Sequence, residues 1–168
     1  MEALFLDCGA RRPQLKRDPL GGSNRPPMCT LIYLAVDTPI PLQPWNPGEP
    51  SFHVRSLDET ENLHVRRFTS RSHTYYVGSA EKCGPFSYGA NPGIDDSPAE
   101  LQARATAIQQ LVAVLEQAMI LSTAVELLAF EADDWRMLQH RRQLTIADIA
   151  NTGFAFVPPE AIEVVGAA

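Results

Sequence analysis

Cysteine is scarce in this chain, with three in 168 residues. An odd number cannot pair completely, and small secreted scaffolds held by disulfides carry cysteine more densely, so a disulfide framework is not the basis of the fold. Long apolar runs are missing too. The longest, Leu31 to Val36, falls far short of the roughly 20 residues a helix needs to cross a bilayer, and no spanning helix is expected. Basic charge is in deficit: 14 Lys and Arg face 20 Asp and Glu, a net charge of -6. That balance argues against nucleic-acid binding driven by phosphate electrostatics. No internal repeat of solenoid length is visible. The remaining composition, 45% hydrophobic and 20% charged, suits a soluble cytoplasmic domain able to bury a real core.

The first 27 residues read differently from the rest. Arg11, Arg12, Lys16, Arg17 and Arg25 outnumber Glu2, Asp7 and Asp18, and the only apolar cluster is Ala3 to Leu6. Pro13, Pro19, Pro26, Pro27 and the Gly21-Gly22 pair fill much of what is left. Such a stretch cannot bury enough surface to offset the entropy of ordering it, and 1–27 reads as a flexible tail. Its basic residues follow the apolar patch, the reverse of a secretory signal. Met28 offers a second translation start, immediately before the first strand.

From residue 28 to 168 the pattern predicts a single α+β domain. TLIYLAV at Thr30 to Val36 is apolar on both faces, as a central strand is. Pro39, Pro41, Pro44, Pro47 and Pro50 then impose an extended, polyproline-like connection, with Trp45 expected to pin it to the body. Phe52 to Leu57 alternates, with Phe52 and Val54 on one face and His53 and Arg55 on the other. Asp58 to Asn62 reads as an acidic turn or the first turn of a short helix. Thr74 to Ser79 reads as a third strand. Ser97, Pro98 and Glu100 spell a helix start with a capping box. Leu101, Ala105, Ile108, Leu111, Val112, Leu115 and Met119 follow as its apolar stripe. Further strands are expected at Val125 to Phe130, from Gln143, at Gly153 to Val157 and at Ala161 to Val165, with Thr145 and Asp148 capping a short turn. The order implies a two-layer fold, a mainly antiparallel sheet of about five to six strands with one long helix packed on it.

Candidate chemistry concentrates between Tyr75 and Gly93, YYVGSAEKCGPFSYGANPG, where glycines and prolines alternate with aromatic residues. Loops of this kind either turn a corner or shape a pocket. The candidate ligand-binding residues are Tyr76, Gly78, Gly84, Phe86 and Tyr88. Ala80 to Phe86, AEKCGPF, resembles the thioredoxin motif, but Phe86 stands where the resolving cysteine belongs and the redox reaction lacks its second thiol. A nucleophilic role would pair Cys83 with His73 as base. Cys29 behind Met28 resembles the start of class II amidotransferases, yet Thr30 replaces their glycine. Zinc would need Cys29, Cys83 and a histidine without any short-spaced ligand pair, so no metal and no cofactor is expected. Glu126, Glu131, Asp133 and Asp134 read as a solvated acidic face, neutralised by His140, Arg141 and Arg142. Trp135 beside them reads as an anchor on the body or on a partner.

The opening M-C-x-x-I-Y-L-A-x-D at Met28 to Asp37, Y-V-G-S-x-x-x-C-G at Tyr76 to Gly84 and V-E-L-L-A-F-E at Val125 to Glu131 resemble a group of small uncharacterised bacterial proteins. In that group the central loop commonly reads C-G-C-G-F. Here Pro85 and a shorter spacing remove the second cysteine, which weakens any two-cysteine role. The resemblance implies the fold and the start at Met28, with no activity attached. With no complete catalytic constellation, the chain reads as a non-enzymatic module. It would bind a protein or small-molecule ligand through the Cys83 to Gly93 loop, with neither nucleic acid nor membrane as partner. Its acidity would suit an accessory or immunity protein facing a basic partner. The alternative is a cysteine-dependent enzyme or a thiol or metal site centred on Cys83.

Overall fold

The computed structural model describes residues 30–46, 52–79, 98–131, 135, 137–151 and 153–166. The 1–27 segment, Ser97 and all three cysteines lie outside them, as does the stretch from Cys83 to Gly93.

Six strands form one sheet: β1 (Thr30–Val36), β2 (Phe52–Ser56), β3 (His73–Ser79), β4 (Val125–Glu131), β5 (His140–Thr145) and β6 (Glu160–Val165). Their spatial order is β2-β3-β1-β4-β6-β5, antiparallel except for the β5–β6 pair. Helices α1 (Glu59–Val65), α2 (Pro98–Leu121) and α3 (Ile146–Ala150) complete the α+β fold. β1 lies between β3 and β4, and residues 32–36 are buried, as expected of a strand apolar on both faces. β3 and β4 are both antiparallel to β1, so the connection that contains α2 crosses over β1.

On the first face, Ile32, Leu34 and Val36 join Val54, Tyr75, Val77, Leu127, Ile162 and Val164 under α2. The helix answers with Ile108, Leu111, Val114, Leu115 and Ala118. A fully buried Leu of this kind contributes roughly 1.5–3 kcal/mol. Ser122 ties the helix end to the sheet: its Oγ accepts from Asp37 N at 3.0 Å and donates to Ala124 O at 3.0 Å.

Three expectations need correction. The apolar stripe of α2 does not extend back to its first turns, for Leu101 is 46% exposed and Ala105 is also exposed. There the helix lines a cavity of about 390 Å³ beside Ala150 and Asn151 rather than the sheet. Gly153 to Val157 is not a strand. Phe154 and Phe156 are buried in the core, but the Phe154 and Ala155 carbonyls accept from the guanidinium groups of Arg104 and Arg142 at 3.0 and 2.8 Å. Alternation here records one buried side, and arginine side chains take the place of ladder partners. Trp45 is not the pin of the proline-rich segment, being 37% exposed. Ile40 is buried instead, its N–H donating to the Tyr75 hydroxyl, and Gln43 exchanges two backbone hydrogen bonds of 2.9 Å with Val54 on the β2 edge.

Candidate functional site

The second face of the sheet is where apolar and charged groups meet. Two register rows organise it. One reads Arg55, Tyr76, Tyr33, Leu128, Ala161 and Arg141 across all six strands, and the other reads Thr74, Ala35, Glu126, Glu163 and Gln143. Side chains along a strand alternate, so each row projects from the same face.

α1 covers the first row because the local sequence starts it sharply. Asp58 accepts from Glu61 N at 2.8 Å, and Glu61 Oε2 accepts from Asp58 N at 3.0 Å, a reciprocal cap. The same Glu61 carboxylate takes both Nη atoms of Arg55, at 2.6 and 2.7 Å, and the Tyr33 hydroxyl at 3.4 Å. One buried carboxylate therefore fixes a helix start, a strand arginine and a central tyrosine. A bidentate arginine–carboxylate pair is the strong form of ion pair, and here it aims a half-exposed guanidinium over the Tyr76 ring, 4.3 Å from the centroid. Tyr76 also meets Tyr33 edge-on at 5.7 Å and lies 5.3 Å from His53.

Burial, followed by the negative Glu61, pushes the Tyr33 hydroxyl far above its ordinary pKa. Burial raises Tyr76 too, partly countered by Arg55. His53 is shifted down, first by burial and then by Arg55, with the Gly78 backbone acting in the opposite sense. Its Nδ1 is buried and has no hydrogen-bond partner among the described residues. As pH falls below the ordinary value of 6.5, the unfolded chain takes up a proton that folded His53 refuses. The stability that rests on neutral His53 is thus complete above that value and drains away on acidification. His53→Gln is expected to flatten the fall in the urea midpoint on going from neutral pH to about pH 5. Parallel profiles for the variant and the parent would show that His53 contributes nothing to the slope.

Of the candidate ligand residues, Tyr76 and Gly78 are described, and both belong to this cluster. Gly78 is needed by its neighbour: a Cβ there would stand 2.9 Å from the Tyr76 ring edge and hydroxyl. Gly78→Ala is expected to cost about 1–3 kcal/mol through overpacking. Most of that cost should vanish in a Tyr76→Ala background, as a double-mutant cycle by chemical denaturation would show. Additive effects would mean that the glycine acts some other way. Cys83, Gly84, Phe86 and Tyr88 lie outside the described residues. His73, the proposed base, begins β3 at the end opposite Ser79, a strand length of about 20 Å away, and it projects from the first face.

Of the expected acidic face, Asp133 and Asp134 lie outside the described residues, and Glu126 differs from expectation. Glu126 is buried, not a solvated side chain, and Arg141 Nη1 meets its Oε1 at 3.1 Å. Among the described residues no group of three or more His, Cys, Asp or Glu is placed to hold a metal ion. Trp135 packs on the body, 5.5 Å from Phe130, and stacks on His64 at 5.2 Å. Glu160 escaped notice in the sequence because it follows Pro158-Pro159 in an apolar strand. It is fully buried, accepting from Arg142 Nε at 2.9 Å, Arg142 Nη2 at 3.1 Å and Val157 N at 2.6 Å.

No protein-family model, curated protein or solved structure matches this chain.

Proposed function

We propose that the chain is a non-enzymatic binding domain. Its protein or small-molecule ligand would be received on the second face of the sheet at His53, Arg55 and Tyr76, with the Cys83 to Gly93 loop completing the site. The observation that carries this reading is the partly open cluster itself. An arginine clamped by Glu61 stacks on a tyrosine, next to an imidazole whose buried Nδ1 has no partner among the described residues, at the end of β3 from which the chain runs towards that loop. Arginine and tyrosine held rigidly are the residue types that dominate binding energy at interfaces. Bacterial, cytoplasmic origin and an acidic surface suited to a basic partner belong to the same proposal. No described helix is long and apolar enough to cross a membrane.

The test is capture from a cell lysate on the immobilised full-length chain, run in parallel with His53→Gln and Tyr76→Ala. A species identified by mass spectrometry on the parent and lost from both variants is the expected result. Equal retention by all three would remove the cluster from consideration. Fast alkylation of Cys83 at neutral pH would point to a thiol with a depressed pKa and favour a cysteine-dependent enzyme instead.

A further inference from the structure

The β4–β6–β5 half of the second face carries a groove separate from the His53–Tyr76 cluster. The Arg66–Phe68 3₁₀ turn and residues 69–71 roof one side of it, and Glu126, Glu163 and Gln143 of the second register row form its floor. Its volume is about 700 Å³, within the range of small-molecule sites. We propose that this groove binds a small zwitterionic ligand of the short unblocked peptide class, its carboxylate on the arginines and its ammonium on the glutamates.

Both signs of charge are built into the lining. The basic side is supplied by Arg67, Arg71 and Arg141, which come from the turn, the following segment and β5. Each is steadied by the protein: Arg67 Nη2 donates to Trp135 O at 2.6 Å, Arg71 Nη1 to Asp37 at 3.2 Å, and Arg141 to Glu126 at 3.1 Å and Phe68 O at 3.3 Å. A guanidinium has five N–H donors, and among the described residues these bonds engage only one or two on each. The acidic side is Glu126 and Glu163, directly paired across β4 and β6. Like charges opposite one another on a sheet are unfavourable without a compensating cation. Among the described residues Glu126 has Arg141 as partner, whereas Glu163 has the neutral Gln143 amide alone, at 2.7 Å. Each carboxylate has about four acceptor positions, so acceptor capacity remains on the floor as donor capacity remains on the walls.

This mixture selects the ligand class. A phosphate-rich molecule would meet the two glutamates, and a polycation would meet the arginines. A molecule with one anionic and one cationic end answers both, and the small side chain of Ala161 leaves room between them. Neither His53, Arg55 nor Tyr76 lines the groove, so it does not depend on the role proposed for them.

Calorimetric titration of the full-length chain with triglycine, N-acetyl-triglycine, triglycine amide and inorganic phosphate tests it. Saturable binding of triglycine is expected, weakened about tenfold or more when either end is blocked, as loss of a charge-assisted contact implies. Glu163→Gln and Arg71→Gln alter exposed or half-exposed groups, so both should keep a cooperative thermal transition while losing at least several-fold in triglycine affinity. Unchanged affinity for the acetylated peptide would make this a plain anion site, and unchanged affinity for the amide a plain cation site. Phosphate binding tighter than triglycine would overturn the assignment, as would no saturable binding by any probe into the millimolar range. Unaltered triglycine affinity in both folded variants would place any peptide site elsewhere.

Discussion

Glu160→Ala should cost about 3–5 kcal/mol of folding stability, the usual consequence of removing one partner from a buried ion pair. Set against a total of roughly 5–15 kcal/mol for an ordinary domain, that is a large share of the stability and, at the lower end of the range, most of it. The carboxylate is fully buried and accepts three hydrogen bonds, two from Arg142 and one from Val157 N. Its removal strands a half-buried guanidinium and an amide together. Arg142 also holds the Ala155 carbonyl, so the loss spreads into the segment that carries Phe154 and Phe156 into the core. Replacing both charges, with Arg142→Leu and Glu160→Met, should recover a substantial part of the loss because no unpaired charge is left behind. Urea denaturation of the two single variants and the double variant decides the matter. A single-variant loss below about 1 kcal/mol would show that the pair behaves like a solvated one.

Phe130→Ala is expected to produce a loss of similar size, about 3–5 kcal/mol, for a different reason. Phe130 is completely buried on the second face, with its ring 5.1 Å from Phe68, 5.5 Å from Trp135 and 6.2 Å from Tyr33. It is a sheet residue that both Phe68 of the 3₁₀ turn and the Trp135 ring pack against. Truncation would leave a cavity that Phe68 and Trp135 can fill only by shifting. Trp135 emission should therefore move to the red while the α2 side of the core keeps its far-ultraviolet helical signal. A large loss with unchanged tryptophan emission would mean that the turn and Trp135 do not depend on this ring.

Much of the architecture was legible in the residues. The two-sided apolarity of Leu31 to Val36 placed β1 inside the sheet, and the alternation at Phe52 to Arg55 assigned each side chain to its face. Thr145 and Asp148 do cap a short helix, α3. What the pattern could not distinguish is an extended segment from a strand. Phe154 and Phe156 alternate like β residues, yet whether their carbonyls meet a neighbouring strand or an arginine depends on Arg104 and Arg142, which arrive from other elements. The start of α2 shows a related limit. Leu101 and Ala105 continue the helical stripe faithfully, but the periodicity says nothing about where the sheet beneath them ends.

The candidate sites were less visible still. Tyr76 and Gly78 stood out as part of a glycine- and aromatic-rich stretch. Their partners His53, Arg55 and Glu61 carry no motif, and Glu61 read only as part of an acidic turn or the first turn of a short helix. The groove draws Arg67, Arg71, Glu126, Arg141 and Glu163 from four separate stretches of chain. Its charge pattern exists only once the β4–β6 and β5–β6 registers are formed.

The central position of β1 bears on how the chain is made. TLIYLAV is complete at Val36, but both its β4 neighbour and the α2 face that cover it are finished only by Glu131. Through most of synthesis, then, a seven-residue segment of high β-propensity, without charge or proline, has no edge partner on one side and no cover above. Segments of that description are the ones that pair wrongly with other copies. The β3 strand can shield one edge early. The other waits for a residue almost a hundred positions downstream, so nascent-chain aggregation and chaperone demand should track the folding of α2 and β4 rather than that of β1 itself.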